Sequence, residues 1–246
     1  MIVEYDGSRY HGSQYQTNGP TVQAEVEWSL EAMTGKKTRV AMASRTDAGV
    51  HAKGQVVSFK TDSAFPLETW VSGLNFHLTR DIAVKAAYRA GDSFDVRRDA
   101  WSREYRYSIL NRTGPSPLLR DSTHHVPHPL DVQAMTEACQ ALVGEHDFAP
   151  FSTVVIDHSY RRVFRAEVDR KDDLVVFDME ANSFLPHQVR NTVGGLMRVG
   201  LGKMGVDTFR SLAGSGRPGA IGPAAPSKGL CLMRVNYRNF PPTEET

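Results

Sequence analysis

The positions of the apolar residues along the chain predict three helices. The first covers residues 21–34, where apolar side chains recur at helical spacing, at Val22, Val26, Leu30 and Met33. Thr21 suits an N-cap and Gly35 suits a helix end, so the sequence marks both limits of this helix. The second helix is predicted to begin at Asp131, with an apolar face made by Met135, Ala138, Cys139 and Leu142. The third is predicted over residues 184–199.

Shorter apolar runs between these helices predict strands. In the first part of the chain they cover residues 38–42, 56–59, 82–86 and 105–109. Farther on, two apolar runs flank the turn Lys171-Asp172-Asp173 and predict a hairpin over residues 164–179. A loop rich in glycine and proline, residues 214–226, then precedes a last predicted strand over residues 230–237.

The order of these elements predicts an α+β fold. It runs strand, helix and strands, then strands, helix, hairpin and helix, which differs from the strict alternation of a doubly wound parallel sheet. Such an order fits two related halves, and we place their boundary near Asp99, giving residues 1–99 and residues 100–246. No Pro/Ser-rich linker marks this boundary, and we expect the two halves to pack tightly.

The composition is that of an ordinary globular protein. Of the 246 residues, 40% are hydrophobic and 23% charged, and a chain of this length buries enough surface to fold without a disulfide or a metal. Cys139 and Cys231 stand far apart without a CxxC motif, which favours a reducing, cytoplasmic compartment. The first residues lack the order of a signal peptide, and no run approaches the roughly 18 apolar residues of a membrane span.

Charge is distributed unevenly along the chain. The formal net charge of +1 does not by itself point to a nucleic-acid partner. Residues 85–120, however, carry eight Lys and Arg against four acids, and residues 187–217 carry five against Asp207 alone. Such stretches are either solvated basic faces or contacts to a polyanion such as RNA, and the pattern leaves both interpretations open.

The segment 43–51, between two predicted strands, is the sharpest candidate for chemistry. Small neighbours let Asp47 stand on an exposed turn, and hydrogen-bond donors surround it at Arg45, His51 and Lys53. The aspartate either caps a plain turn or serves as a catalytic carboxylate in covalent or proton-transfer chemistry. No second carboxylate of the kind that glycosidases normally require is evident nearby.

Two further residues are candidates for a site. The helical neighbours of Arg190 are apolar or small, so its guanidinium either seeks an acid or extends from the helix edge into solvent. Tyr105, beside Arg103 and Arg106, either belongs to the core or stacks on nucleic-acid bases. The chain has no P-loop and no ligand spacing typical of a metal site, so we expect neither a cofactor nor a metal.

Residues 44–51, followed by Gly54-Gln55-Val56-Val57, resemble the signature of the TruA family of tRNA pseudouridine synthases. The resemblance continues in order along nearly the whole chain, in the strings Tyr5 to Ser8, Tyr105 to Tyr107, Leu142 to Phe148, Asn182 to Leu185, Val189 to Asn191 and Ala225 to Leu230. It implies an enzyme that isomerises uridine to pseudouridine at positions 38–40 of the tRNA anticodon stem-loop. It also implies a homodimer without cofactor, metal or membrane attachment. The implied fold has two ferredoxin-like halves with mainly antiparallel sheets and an active-site cleft between them.

The same resemblance assigns roles to the candidate residues. Asp47 matches the catalytic aspartate, Arg190 the arginine that pairs with it, and Tyr105 the tyrosine that packs on the target base. Arg45 and His51 belong to the same loop as Asp47 and are expected to bind the substrate.

The sequence departs from the family pattern at two places. Ser13 stands where a tryptophan is common, which affects local packing or a contact to tRNA. The chain also starts at Met1 inside the expected first strand, so further residues are expected upstream.

The residues alone leave two other classes of protein open. One is an RNA-binding module without catalysis, and the other is a metal-independent nucleosidase that releases the free base. The sequence also does not decide whether Asp47 attacks covalently or removes a ribose proton, nor which of the three tRNA positions is modified.

Overall fold

The computed structural model describes residues 1–241 and divides the chain into two compact units. Unit 1 comprises Met1–Arg103 together with the chain from Cys231 onward, and unit 2 comprises Glu104–Leu230. The division after Arg103 lies close to the predicted boundary at Asp99. The last strand, however, belongs to unit 1 rather than to the second half, because it pairs with the strand of residues 51–58.

Unit 1 contains a mainly antiparallel sheet. Its strands are β1 (Ile2–Tyr5), β2 (Ala41–Met42), β3 (His51–Ser58), β4 (Ile82–Ala86) and the last strand, β10 (Leu230–Tyr237). Their order is β4-β1-β3-β10, with β2 paired to the far end of β3. β1 is antiparallel to β3 and β4, whereas β10 runs parallel to β3 with Cys231 opposite His51. The strand that follows the Asp47 segment therefore lies inside the sheet.

Helix α1 (Val22–Thr34) confirms the first predicted helix, and both of its ends are capped as expected. The Thr21 hydroxyl accepts a hydrogen bond from Ala24 N at 3.2 Å, and Gly35 ends the helix with a left-handed φ of 71°. The sequence pattern does not predict helix α2 (Leu67–His77), which packs against α1.

Unit 2 contains a second set of mainly antiparallel strands. Its strands are β5 (Ala100–Leu110), which begins in unit 1, β6 (His124–His125), β7 (Gly144–Asp147), β8 (Tyr160–Lys171) and β9 (Leu174–Ala181). Their order is β5-β9-β8-β7, with β6 beside β5. The predicted hairpin is confirmed as β8 and β9, in which Lys171 lies opposite Leu174.

Three helices complete unit 2: α3 (Val132–Cys139), α4 (Gln188–Gly200) and α5 (Val206–Ala213). Helix α3 follows Asp131 as predicted and packs on β8, α4 and α5. Helix α4 begins at Gln188 rather than at the predicted residue 184. Pro186 disfavours helical backbone at the residue before it, and His187 has a positive φ of 60°. Arg190 therefore lies in the first turn of α4.

Candidate active site

Asp47 begins a tight turn between β2 and β3 in unit 1. Val50 N donates a hydrogen bond to Asp47 O at 3.1 Å, and Gly49 adopts a φ of 75°, which glycine tolerates without strain. Asp47 is half-buried, whereas Arg45 is exposed. The backbone that carries the aspartate is thus held by its own turn and by a glycine suited to it.

A buried network of polar side chains lies beneath the residues that precede Asp47. Tyr5 on β1 shares a hydrogen bond with Thr46, Oη to Oγ1, at 2.8 Å. Gln55 on β3 donates to Ser44 O at 2.7 Å and accepts from Ser44 N at 3.1 Å. Burial raises the pKa of Tyr5 to about 12, so its hydroxyl stays protonated at neutral pH. Sequence reasoning missed this role of Tyr5 and Gln55, although a lone glutamine within an apolar strand run signals a buried polar partner.

The segment at residues 12 and 13 supports the same turn from another side. Thr46 N donates to Ser13 Oγ at 2.9 Å, and Ser13 N donates to Thr46 O at 3.0 Å. Gly12 has a φ of 100°, and a Cβ on it would lie 2.8 Å from Thr46 O. Ser13, noted in the sequence as a departure from the family pattern, therefore contacts the residue next to Asp47.

His51, at the start of β3, contacts the turn that follows β1. Its Nδ1 accepts a hydrogen bond from Gly7 N at 3.1 Å and lies 3.1 Å from Asp6 Oδ1. Burial acts to raise the pKa of Asp6, but hydrogen bonds from Ser8 and the nearby His51 outweigh it and lower this pKa. Within unit 1, His51 thus helps to hold residues 6 and 7 beside the Asp47 turn.

Arg190 is anchored within unit 2 by the loop before β10. Its Nε donates to Ala225 O at 2.8 Å, and Ala225 N donates to Arg190 O at 2.9 Å. Tyr107 secures the next residue of the same loop, since its hydroxyl donates to Pro226 O at 2.8 Å. The plane of the guanidinium is therefore set by two elements, α4 and this loop.

Tyr105 lies on the buried face of β5. It is 6% exposed, and its ring meets the ring of Phe184 edge-on, with centroids 5.1 Å apart. Tyr107 and Ile109 on the same face are fully buried. Tyr105 is therefore buried together with this face and lies at the least buried point of it.

The part of the chain that the structure describes holds neither a metal-binding cluster nor a membrane-spanning helix. Between residues 1 and 241, no group of three or more His, Cys, Asp or Glu side chains is arranged to hold a metal ion. No helix in that range has both the length and the apolar composition needed to cross a membrane.

Comparisons with known proteins identify the family. A family model described as tRNA pseudouridine synthase matches residues 1–99 and 138–238. A tRNA pseudouridine synthase A of Roseiflexus sp. (strain RS-1) is 44% identical over 243 residues, which cover 96% of this chain and 89% of the relative. Proteins of the same name from Geotalea uraniireducens (strain Rf4) and Myxococcus xanthus are 43% and 40% identical. The former match covers 96% of this chain and 98% of the relative, and the latter covers 98% and 92%. The chain belongs to the tRNA pseudouridine synthase family.

Proposed function

We propose that this enzyme acts at positions 38–40 of the tRNA anticodon stem-loop and that Asp47 is its catalytic carboxylate. Membership of the family makes the reaction the isomerisation of uridine to pseudouridine in tRNA. The relatives named tRNA pseudouridine synthase A and the resemblance of residues 44–51 to the TruA signature support the stem-loop and the aspartate.

The observation that carries the assignment of Asp47 is the support beneath its turn. Tyr5, Ser13 and Gln55 are buried, and each is hydrogen-bonded to residues 44–46. Buried polar side chains destabilise a protein unless they are satisfied, so a turn that only joined two strands would not need three of them. A catalytic carboxylate does need them, because a displacement of about 1 Å can lower a rate on the order of 100-fold.

The reaction defines what this carboxylate has to do. The N1–C1′ bond breaks, the uracil ring turns, and C5 joins C1′, after which the proton on C5 leaves and N1 carries a proton. The base stays on the nucleoside and no electrons are gained or lost overall, so the reaction consumes no oxidant or reductant. Asp47 either attacks the ribose and is displaced when the C5–C1′ bond forms, or removes a ribose proton so that the base can detach and returns that proton when C5 joins C1′.

The other predicted residues complete the proposed site. We assign Arg190 to pair with Asp47, and its hydrogen bond to Ala225 supports this because a bidentate arginine needs a fixed plane. We assign Tyr105 to pack on the target base, supported by its position at the least buried point of its face of β5. Arg45, which is exposed, and His51 complete the proposed substrate contacts.

We also propose that the enzyme works as a cytoplasmic homodimer without cofactor or metal. The resemblance to the TruA family supports the dimer, and the presence of only two cysteines, Cys139 and Cys231, far apart in the sequence, supports a reducing compartment. Light scattering is expected to give twice the chain mass. EDTA is expected to leave the rate unchanged on tRNA folded beforehand, and inhibition that a divalent ion reverses would contradict the metal-free reaction.

The reaction can be tested by tritium release from tRNA labelled at C5 of uridine, because isomerisation expels that hydrogen while the base stays attached. Asp47→Asn is expected to abolish release. Asp62→Asn, a matched change at an exposed aspartate of unit 1, is expected to preserve it. Substantial release by purified Asp47→Asn would refute the catalytic role.

The positions can be tested separately with tRNA transcripts that carry cytidine at 38, 39 or 40. Release is expected to fall with each uridine removed and to vanish when none remains at these positions. Full release from a transcript without uridine at all three would overturn the proposed stem-loop site.

A further inference from the structure

We propose that Ser13 is a positioning residue for the reaction: its hydroxyl fixes the backbone of Thr46 and thereby the place of the Asp47 carboxylate. The inference rests on the proposed catalytic role of Asp47. It concerns a side chain to which the resemblance gives no role, since this chain has a serine where the family pattern differs.

Ser13 binds the peptide groups on both sides of Thr46. Its Oγ accepts from Thr46 N at 2.9 Å, and its own N–H donates to Thr46 O at 3.0 Å. Thr46 O belongs to the peptide bond that joins Thr46 to Asp47. Ser13 is 1% exposed and Thr46 is 7% exposed, so water does not readily replace these bonds.

Of the two bonds, only the one made by the hydroxyl depends on the side chain. Without Ser13 Oγ, the buried Thr46 N–H would lose its acceptor, and a buried unsatisfied donor is costly. The turn would then shift to find another acceptor or water. The Thr46 hydroxyl already bonds to Tyr5, so the turn would pivot about that contact and move Asp47.

Ser13 is itself tied to the first turn of helix α1. Gln23 N donates to Ser13 O at 3.0 Å, and Val22 N donates to Gly12 O at 3.3 Å. These bonds satisfy helix donors that have no partner inside the helix. Segment 12–13 therefore connects a rigid helix to the turn, which lets one hydroxyl hold Asp47 in a fixed position relative to unit 1.

The test compares Ser13→Ala with a matched control at Ser29. Ser29 is also fully buried in unit 1, but its hydroxyl has no hydrogen-bond partner among residues 1–241. Ser29→Ala therefore removes a buried hydroxyl without removing a hydrogen bond. Ser13→Thr retains the acceptor. Each variant is assayed for pseudouridine formation on one tRNA transcript, with Asp47→Asn in parallel and with melting followed by circular dichroism.

We expect Ser13→Ala to lower kcat by about tenfold or more while KM for tRNA stays within about twofold. Ser13→Thr should recover most of kcat, and Ser29→Ala should keep it. Amide hydrogen exchange in residues 44–50 should quicken in Ser13→Ala, because the turn loses a bond, without a matching change across helix α2.

The outcomes separate this inference from the proposed function. If Asp47→Asn is inactive but Ser13→Ala keeps the wild-type kcat, the inference about Ser13 is wrong and the role of Asp47 stands. If Asp47→Asn remains active, the proposed function fails whatever Ser13 does. If Ser13→Ala and Ser29→Ala lowered kcat equally, Ser13 would have only a general packing role.

If Ser13→Ala does not fold, Ser13→Cys takes its place. It retains the size of the side chain and replaces the hydroxyl by a weak acceptor. A smaller fall in kcat is then expected, and a wild-type kcat would overturn the inference.

Discussion

The phenol oxygen of Tyr5 and the hydroxyl oxygen of Thr46 lie 2.8 Å apart, although the two residues are 41 positions apart in the sequence. Tyr5 is in β1, and Thr46 comes just before Asp47. Both side chains are buried. The first strand therefore contributes directly to the order of the Asp47 turn, and the contact can be tested through the ionisation of the phenol.

We predict that Tyr5→Phe changes how stability depends on alkaline pH. Burial raises the pKa of Tyr5 from 10.0 to about 12. The stabilisation linked to the protonated phenol is therefore complete below pH 10 and is lost as the pH rises toward 12. From pH 9 to pH 11, this group should account for a fall of about 1 kcal/mol in the free energy of unfolding.

Urea unfolding of both proteins at several pH values between 9 and 11 measures this effect. At pH 9 the free energy of unfolding of Tyr5→Phe should be about 1 kcal/mol lower than that of the wild type, because the variant loses a buried hydrogen bond. Between pH 9 and pH 11 its free energy of unfolding should then fall less steeply with pH than that of the wild type. Burial also raises the pKa of Tyr107 and Tyr237, so only the difference between the two curves reports on Tyr5. If the free energies of unfolding of the wild type and of Tyr5→Phe ran parallel over this pH range, the prediction would be contradicted.

We predict that Asp47 and Arg190 act as one unit. Asp47→Asn and Arg190→Met should each lower the single-turnover rate by about 100-fold or more, since each removes one member of the proposed charge pair. The double variant should lose little more than either single one. Arg198→Met on the same helix is the control, because its guanidinium bonds to Ile221 O. Losses that add in log rate would show that the two residues are independent.

We predict that two substitutions at Tyr105 separate packing from chemistry. Tyr105→Phe keeps the aromatic face and should retain tRNA binding, whereas Tyr105→Leu should lose about 1 to 3 kcal/mol of binding free energy with the base stack. Tyr107→Phe is the control, because it removes the hydroxyl bonded to Pro226 from a fully buried ring and should affect stability rather than binding. Wild-type kinetics in all three variants would make Tyr105 a core residue only.

We predict that tRNA affinity falls steeply with salt, through local basic side chains rather than through the net charge of +1. Lys203 and Arg217 are exposed, and replacing both by alanine should reduce the slope of log affinity against log salt by about one to two. Arg210→Ala should change the slope less, because this side chain already pairs with Glu137 and Asp207. A flat salt dependence of the wild type would exclude phosphate contacts as the main source of affinity.

The elements that the sequence predicts well are those with local signals at both ends. Helix α1 has Thr21 and Gly35, and α3 has Asp131, whose carboxylate accepts from Ala134 N at 2.9 Å. Helix α2 escapes prediction because Pro66 makes no side-chain cap and Leu78 at its end is not a glycine. Its place depends on the burial of Trp70 and Leu74 against the rest of unit 1, which no local pattern contains.

The candidate site also has one part that the sequence predicts and one part that only the fold shows. The turn with Asp47 is visible in the sequence because it is a local string, whereas its support comes from Tyr5, Ser13 and Gln55, which the fold alone brings to it. Strand β3 begins at His51, five residues before the predicted start at residue 56. The prediction began too late because polar residues and Gly54 interrupt the apolar run in this part of the strand. Gly54 is needed there: a Cβ on it would lie 2.5 Å from Met233 O on β10.

The pairing of β10 with β3 also has a consequence for how the protein is made. Unit 1 is discontinuous in the chain, and ribosomes complete all of Glu104–Leu230 before the strand that closes its sheet emerges. Until then the nascent chain carries β3 with one edge unpaired near His51, an edge that another strand can occupy. A chain interrupted before residue 231 would thus contain every proposed site residue and still lack the strand that pairs with β3 at His51 and Ala52. Synthesis of the last strand is accordingly the step that completes the sheet of unit 1.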